Sequence, residues 1–136
     1  MTAILLCLAL ITVPHCCNAT QTYTWTQTGS KFTAAGSVGD AKFGHAVAIS
    51  QNGSTFASGG LTDDGDKGAV WVFTRSGAGA WTQQGSKLVG SGMNGDAKFG
   101  DSISLSASGD TLAIGADKDD GDKGAVWVFT RSGAGA

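Results

Sequence analysis

Residues 63–80 read DDGDKGAVWVFTRSGAGA, and residues 119–136 repeat the same letters. The repeat extends towards the N-terminus with substitutions at a constant offset, so that Trp25 corresponds to Trp81 and Phe43 to Phe99. A fixed period of this length is typical of repeat proteins, in which each unit buries its apolar face against its neighbours. The sequence therefore predicts two copies of one structural unit.

Short segments with the composition of β-strands alternate with turn residues inside the unit. Residues 102–106 alternate polar and apolar side chains, and residues 111–115 follow them after a turn. Residues 68–74 are apolar on both faces, as expected for a strand inside a packed sheet. Residues 81–88, with their copy at residues 25–32, predict an outer strand that bends near Gly85.

Four antiparallel strands per unit predict an all-β fold of the β-propeller type, with two four-stranded blades that form an incomplete ring. An ordinary β-sandwich is the alternative, but sandwiches seldom repeat their sequence so literally. Asn52 and Gly53 stand between two of the strand-like segments. This pair predicts a type I′ hairpin turn, in which both central residues have positive φ.

The first nineteen residues differ in composition from the rest of the chain. Residues 4–13 form an apolar run that is followed by Pro14 and by small residues up to Ala19. This pattern predicts a secretory signal peptide that is cleaved after Ala19, although no Lys or Arg precedes the apolar run. An uncleaved anchor and a misread start codon are the alternatives. Cleavage would remove every cysteine of the chain, namely Cys7, Cys16 and Cys17.

The composition argues against several classes of function. The net charge is −2 and Lys and Arg are not clustered, so a nucleic-acid partner is not expected. Residues 20–136 contain no second long apolar run, so no transmembrane span is expected there. The chain contains no Glu, and His45 is the only histidine after residue 19. We therefore predict no catalytic residues, no cofactor and a non-enzymatic protein.

The pairs Phe43-Gly44 and Phe99-Gly100, each followed at fixed spacing by GAVWVF, resemble the FG-GAP repeat. The resemblance covers nearly all of residues 25–136, and the flanking WTQQGSKL resembles a subtype found in bacterial and algal secreted proteins. The best-known members of the family are the propellers of integrin α-subunits. The resemblance thus implies a propeller architecture and an extracellular recognition role.

The predicted organisation has four parts. Residues 1–19 are the signal peptide, residues 20–42 are the outer strand of a preceding blade with its linker, residues 43–98 are the first blade, and residues 99–136 are the second blade without its outer strand. Two blades cannot close a ring, because propellers typically have four to eight. Three interpretations remain open: a part of a longer gene product, several chains assembled into one ring, or a pair of blades that stands alone.

Six aspartates form the acidic clusters of the repeated loop and are the candidate metal ligands: Asp63, Asp64, Asp66, Asp119, Asp120 and Asp122. Calcium binding is the functional interpretation, and a solvated turn rich in Asp and Gly is the structural one. The loop lacks alternating acidic positions and a bidentate Glu, which favours the turn. The hairpins in which integrin repeats bind calcium correspond to residues 50–54 and 106–110, and these hairpins hold a single Asp.

The sequence as a whole predicts a secreted or cell-surface protein that presents loops to a partner. The partner is a protein or a glycan. A glycan-binding propeller and a structural spacer within a larger repeat protein are the alternative functions.

Overall fold

The computed structural model describes residues 22–133, which form two antiparallel β-sheets. The first sheet has the order β1-β2-β3-β4 and the second has the order β5-β6-β7. Their strands are β1 (Val47–Ile49), β2 (Thr55–Gly60), β3 (Ala69–Arg75), β4 (Trp81–Gln83), β5 (Ser102–Leu105), β6 (Thr111–Ala116) and β7 (Ala125–Thr130). The prediction of an all-β fold with propeller-like blades in an open ring is confirmed.

The strand pairing repeats with the same offset as the sequence. Phe56 of β2 lies opposite Phe73 of β3, and Leu112 of β6 lies opposite Phe129 of β7. Because side chains that lie opposite each other share one face of a sheet, the two units carry the same apolar face. The signal-peptide prediction concerns residues outside the described range.

The repeated acidic loops form two single helical turns, α1 (Asp63–Asp66) and α2 (Asp119–Asp122). Neither turn is a regular α-helix, since Asp64 has φ 51° and ψ 49° and Asp120 has φ 52° and ψ 48°. These dihedral angles lie in the left-handed region, which Asp enters more readily than most residues. The two loops therefore have almost the same backbone.

The hairpin at residues 50–54 differs from the predicted type I′ turn. Gly53 has φ 65°, whereas Asn52 is not among the residues with positive φ. The N–H of Gly53 donates to the carbonyl of Ser50, and the Asn52 side-chain oxygen accepts from the N–H of Ser54 at 3.0 Å. Only Gly53 of this pair thus adopts the left-handed conformation. The turn is stabilised by the hydrogen bond from the backbone N–H of Ser54 to the side chain of Asn52.

Residues 25–32 do not form the predicted outer strand, whereas their copy at residues 81–88 does so in part. Trp81–Gln83 is β4, and after a bend at Gly85, where φ is 68°, Leu88 forms an isolated bridge with Val70. Residues 81–88 lie beside β3, which supplies hydrogen-bond partners. No strand of the described residues lies beside residues 25–32, so sequence propensity alone does not produce a strand there.

The two sheets stack face to face and share one apolar core. Val70 of β3 is fully buried against the second sheet, with Phe99 and Ile114 on the other side of the interface. The opposite face of the first sheet is covered by residues 32–43, which pack on Trp71. The segment that precedes each sheet in the chain thus packs on one face of that sheet. The other face of the first sheet packs against the second unit.

Two glycines permit the close approach of the units. A Cβ on Gly59 would overlap the carbonyl of Gly100, and a Cβ on Gly68 would overlap the backbone of Phe99. The N–H of Phe99 donates to the carbonyl of Lys67 at 2.8 Å, which ties the second unit to the loop of the first. Gly at these positions is therefore required by packing between units.

Candidate functional site

The loops at α1 and α2 lie at the same edge of the two stacked sheets, and we call them the acidic loops. Each loop receives backbone hydrogen bonds from the segment that precedes its sheet. The N–H of Asp64 donates to the carbonyl of Val38, and the N–H of Asp120 donates to the carbonyl of Asn94. The same contacts 56 residues apart hold both loops in one conformation.

Asp63 is the fully buried member of the first acidic loop. Its carboxylate accepts a hydrogen bond from the N–H of Val38 at 2.7 Å and forms an ion pair with Lys87. The equivalent carboxylate of Asp119 accepts from the N–H of Asn94 at 2.8 Å. Asp63 and Asp119 are thus structural anchors of their loops, and of these two aspartates only Asp63 has a lysine partner within residues 22–133.

The more exposed aspartates of the acidic loops pair with nearby lysines. Asp64 is 2.9 Å from the Nζ of Lys67, and Asp120 is 2.6 Å from that of Lys123. Hydrogen bonding from Lys67 lowers the pKa of Asp64, and the same contact raises the pKa of Lys67. Each loop therefore presents a matched pair of charges to solvent.

Two further ion pairs complete the charged edge. The Nζ of Lys118 is 2.9 Å from Asp122, and this hydrogen bond raises the pKa of Lys118. Lys98 reaches Asp66 at 3.9 Å, so this pair joins the second unit to the first. All six candidate aspartates thus have a hydrogen bond or an ion pair with a group of the chain itself.

The Phe-Gly pair has the same surroundings in both units. The ring of Phe43 lies edge-on to Trp71 at 5.6 Å, and the ring of Phe99 lies edge-on to Trp127 at 5.3 Å. Gly44 and Gly100 follow with φ of 94° and 96°. This repeated geometry is the structural equivalent of the Phe-Gly and GAVWVF motifs.

Part of the chain matches a known protein family. Residues 81–129 match the FG-GAP repeat family. The resemblance predicted from the sequence is confirmed for that stretch. A search of curated proteins found no match. The matched FG-GAP stretch begins at Trp81, in β4 of the first sheet, so the predicted blade boundaries at residues 43, 98 and 99 stay a prediction.

Three of the four tryptophans are engaged in packing. The indole N–H of Trp71 donates to the carbonyl of Ala35 at 2.8 Å, and that of Trp127 donates to Ser91 at 2.9 Å. Trp71 is fully buried and Trp81 is half-buried, whereas Trp25 is 99% exposed. The side chains of Trp71, Trp81 and Trp127 are therefore structural, and Trp25 is the exposed tryptophan.

A cleft of about 250 Å³ opens between the two sheets at the end opposite the acidic loops. Its walls are mainly apolar and include Val72 from the first sheet and Phe129 from the second. Arg131 lies at the rim, where its guanidinium contacts Asp110 at 2.8 Å and Gln84 at 3.2 Å. The sequence does not reveal this cleft, because it exists only where the two repeat units face each other.

The aspartates of the acidic loops are held by contacts within the chain. Within residues 22–133 no group of three or more His, Cys, Asp or Glu side chains is arranged to hold a metal ion. Calcium requires six to eight oxygen ligands, and the carboxylates of the acidic loops are already bonded to lysines or backbone N–H groups. The calcium site stays a prediction that needs a direct test.

The buried ion pair of Asp63 is likewise not apparent from the sequence. An Asp in a loop rich in Asp and Gly is indistinguishable from its exposed neighbours by composition. Two local features of the sequence accompany the ion pair: the apolar Leu61 lies before Asp63, and a lysine follows β4. No pattern of spacing specifies that Lys87 reaches back over the loop to Asp63.

Proposed function

We propose that this chain is a non-catalytic recognition scaffold that acts outside the cell or at its surface. Stacked FG-GAP units would hold the acidic loops at fixed spacing towards a protein partner. The observation that carries the proposal is the identity of the two loops in both backbone and charge: Asp64 and Lys67 recur as Asp120 and Lys123 with the same contacts.

The distribution of burial supports loops as the recognition elements. The face of the first sheet that carries Val70 is occupied by contacts with the second unit, and the segment before the sheet covers the part of the opposite face that carries Trp71. The side chains of Asp64, Lys67, Asp120 and Lys123 are about half exposed or more. Exposed polar groups on a rigid scaffold are typical of binding surfaces.

Non-catalytic action is supported by the surroundings of His45. Its Nε2 lies 3.3 Å from Asp101, and this pair is exposed on the surface. The position of His45 in the first unit corresponds to that of Asp101 in the second. A group that differs between copies is a poor candidate for a repeated catalytic site.

A protein partner is favoured over a glycan by the aromatic side chains. Sugar-binding sites usually offer an exposed aromatic ring in a groove, but Trp71 is buried, and the exposed Trp25 lies in a segment without regular secondary structure. A pure spacer predicts no exposed apolar patch, whereas Val126 and Val128 are 70% and 64% exposed in the single chain.

Among residues 22–133 no helix has the length and hydrophobicity needed to span a bilayer. Secretion is proposed from the predicted signal peptide and from the extracellular role that the FG-GAP resemblance implies. Mass spectrometry of the protein from the culture medium should find Thr20 at its N-terminus. Retention in the cell with an intact Met1 would contradict secretion.

The recognition proposal is tested by binding of the purified chain to arrays of extracellular proteins and of glycans. The variant Lys67→Glu/Lys123→Glu reverses one charge in each acidic loop and should abolish binding to the protein array. The control Ser76→Glu/Ser132→Glu also adds one glutamate to each unit, but at the opposite edge of the sheets, and should retain binding. Binding only to glycans, binding that survives the loop variant, or no binding at all would contradict the proposal.

A further inference from the structure

The two units of this chain leave two different sheet faces exposed. Val70, on the face of the first sheet that contacts the second, is 0% exposed, whereas its copy Val126 is 70% exposed. Val72 is half-buried and its copy Val128 is 64% exposed. The exposed outer face of the second sheet is therefore the copy of the apolar face that the first sheet packs against the second.

The opposite end of the stack shows the complementary difference. Val47 and Ile49 of β1 are 69% and 62% exposed. Their copies in β5 are Ile103 and Leu105, which are half-buried because they pack in the core between the sheets. The chain thus exposes both halves of the contact that it makes internally between its own two units.

An open strand edge accompanies the exposed face of the second sheet. β3 pairs with β4, so that Thr74 lies opposite Thr82 and Phe73 opposite Gln83. Within residues 22–133 the equivalent edge of β7 has no strand beside it. An unpaired edge presents free N–H and C=O groups to any added strand.

The chain itself contains a copy of the strand that this edge lacks. Residues 25–31 read WTQTGSK and residues 81–87 read WTQQGSK, so they differ at one position. Residues 25–28 adopt no regular secondary structure, and Trp25 is 99% exposed. This segment has the composition of β4 but no sheet edge to bind.

A pair of charges follows the same pattern. Lys87, at the end of the strand segment, forms the ion pair with the buried Asp63. Its copy Lys31 is exposed, and the copy of Asp63 is Asp119, which has no lysine partner among residues 22–133. Lys31 and Asp119 are therefore the two halves of an ion pair that the first unit already shows complete.

We propose that copies of this chain assemble head to tail. Residues 25–32 of one copy add to the β7 edge of the next copy, and Lys31 pairs with Asp119. The face of Val126 and Val128 then packs on the β1 side of the incoming copy. A second copy is required because Phe32 packs on Phe56 at 5.0 Å, which holds this segment at the first sheet, away from the β7 edge of its own chain.

The contact joins two different surfaces of the chain, so it is heterologous. Each added copy is rotated by the same angle, and addition stops when the copies close into a ring. A propeller of about four to eight blades would therefore contain roughly two to four copies of a two-blade chain. A rotation that does not close would produce a filament with the same contact.

The test is the mass of the purified chain in solution, measured by light scattering and by sedimentation over a range of concentrations. We expect an assembly of two to four copies or a filament. Val128→Asp should shift the mass to that of the monomer. Val89→Asp is the control, since Val89 is also about half exposed but belongs to no strand and to neither apolar core of the described residues, and it should leave the assembly intact.

An exchange of charges tests the register of the contact. Lys31→Asp and Asp119→Lys should each weaken the assembly, and a mixture of these two variants should restore it with the copies alternating. Circular dichroism checks that each variant is folded, and the control variant checks that an added Asp is tolerated. A monomer at every concentration, or an assembly that survives Val128→Asp and both charge variants, would overturn the proposal.

Discussion

The Nε2 of His45 lies 3.3 Å from the Oδ1 of Asp101, and these two residues occupy the same position in the two repeat units. A residue of the first unit thus contacts its own counterpart in the second. This is possible because the units stack with their equivalent strands side by side, β1 near β5. The two copies differ at this position, and the difference converts a self-contact into a pair of complementary groups.

The approach of Phe99 to Gly68 predicts that Gly68→Ala is strongly destabilising. A left-handed backbone at a non-Gly residue costs about 1–2 kcal/mol, and displacement of the Phe99 backbone adds roughly 1–3 kcal/mol. Gly65 is the matched control, because it has φ 66° in the same loop but no atom near its added Cβ. Urea unfolding should show a larger loss for Gly68→Ala; equal losses would mean that the units do not touch there.

The burial of Phe99 predicts an unequal effect of the two Phe-Gly motifs. Phe99 is fully buried between the sheets, whereas Phe43 is half-buried on the outer face. Phe99→Ala should cost about 3–5 kcal/mol, since it removes a large side chain from a packed core. Phe43→Ala should cost less in the same unfolding experiment. A larger effect of Phe43→Ala would mean that the main core lies on the outer face of the first sheet and not between the two sheets.

The ion pair of Asp63 with Lys87 predicts a similar asymmetry between the acidic loops. Asp63→Ala leaves Lys87 without its carboxylate and the N–H of Val38 without an acceptor, which should cost about 3–5 kcal/mol. Asp119→Ala removes only the acceptor of Asn94 and should cost about 1–3 kcal/mol. A double-mutant cycle with Lys87→Met measures the coupling directly, and a coupling of zero would contradict the ion pair.

The contact of Arg131 with Asp110 predicts a dependence of stability on pH. Hydrogen bonds from Arg131 and then from Ser108 lower the pKa of Asp110. A carboxylate whose pKa is lowered by folding stabilises the protein above its ordinary pKa, and this stability is lost as pH falls through the lowered value. The native chain should therefore be more stable than Asp110→Asn at neutral pH, and the difference should shrink once the pH falls below about 4 and vanish below the lowered pKa of Asp110. A difference that grows in acid would be inconsistent with the contact.

The lysine partners of the acidic loops predict a weak response to calcium. Each exposed carboxylate would have to leave its lysine before it could bind the ion, so millimolar calcium should leave the melting temperature unchanged relative to EDTA. The variant Asp64→Ala should behave in the same way. A rise in melting temperature with calcium that Asp64→Ala abolishes would instead establish the predicted calcium site.

The strands were predictable because their pattern is local. Alternation at residues 102–106 predicted β5, and the apolar run at residues 68–74 predicted β3 with both faces covered. The same letters in β7 have one face exposed, since Val126 has no unit beside it among the described residues. Burial depends on the neighbour, which the sequence of one unit does not contain.

The departures have the same physical origin. The Asn52-Gly53 pair was expected to place both residues at positive φ, but the side chain of Asn52 stabilises a different turn. Residues 25–32 have the sequence of a strand but lack a sheet edge. The candidate aspartates were identified as one cluster, yet burial separates Asp63 from the exposed Asp64.

The contrast between Val70 and Val126 sets how such a stack would behave on lengthening. Each inserted unit of 56 residues would bury one pair of valines and expose another, so the apolar area in water would stay constant at any length. Stability would grow by one interface per unit while solubility stayed nearly the same. Duplication of the gene segment could therefore extend the protein without a redesign of its surface.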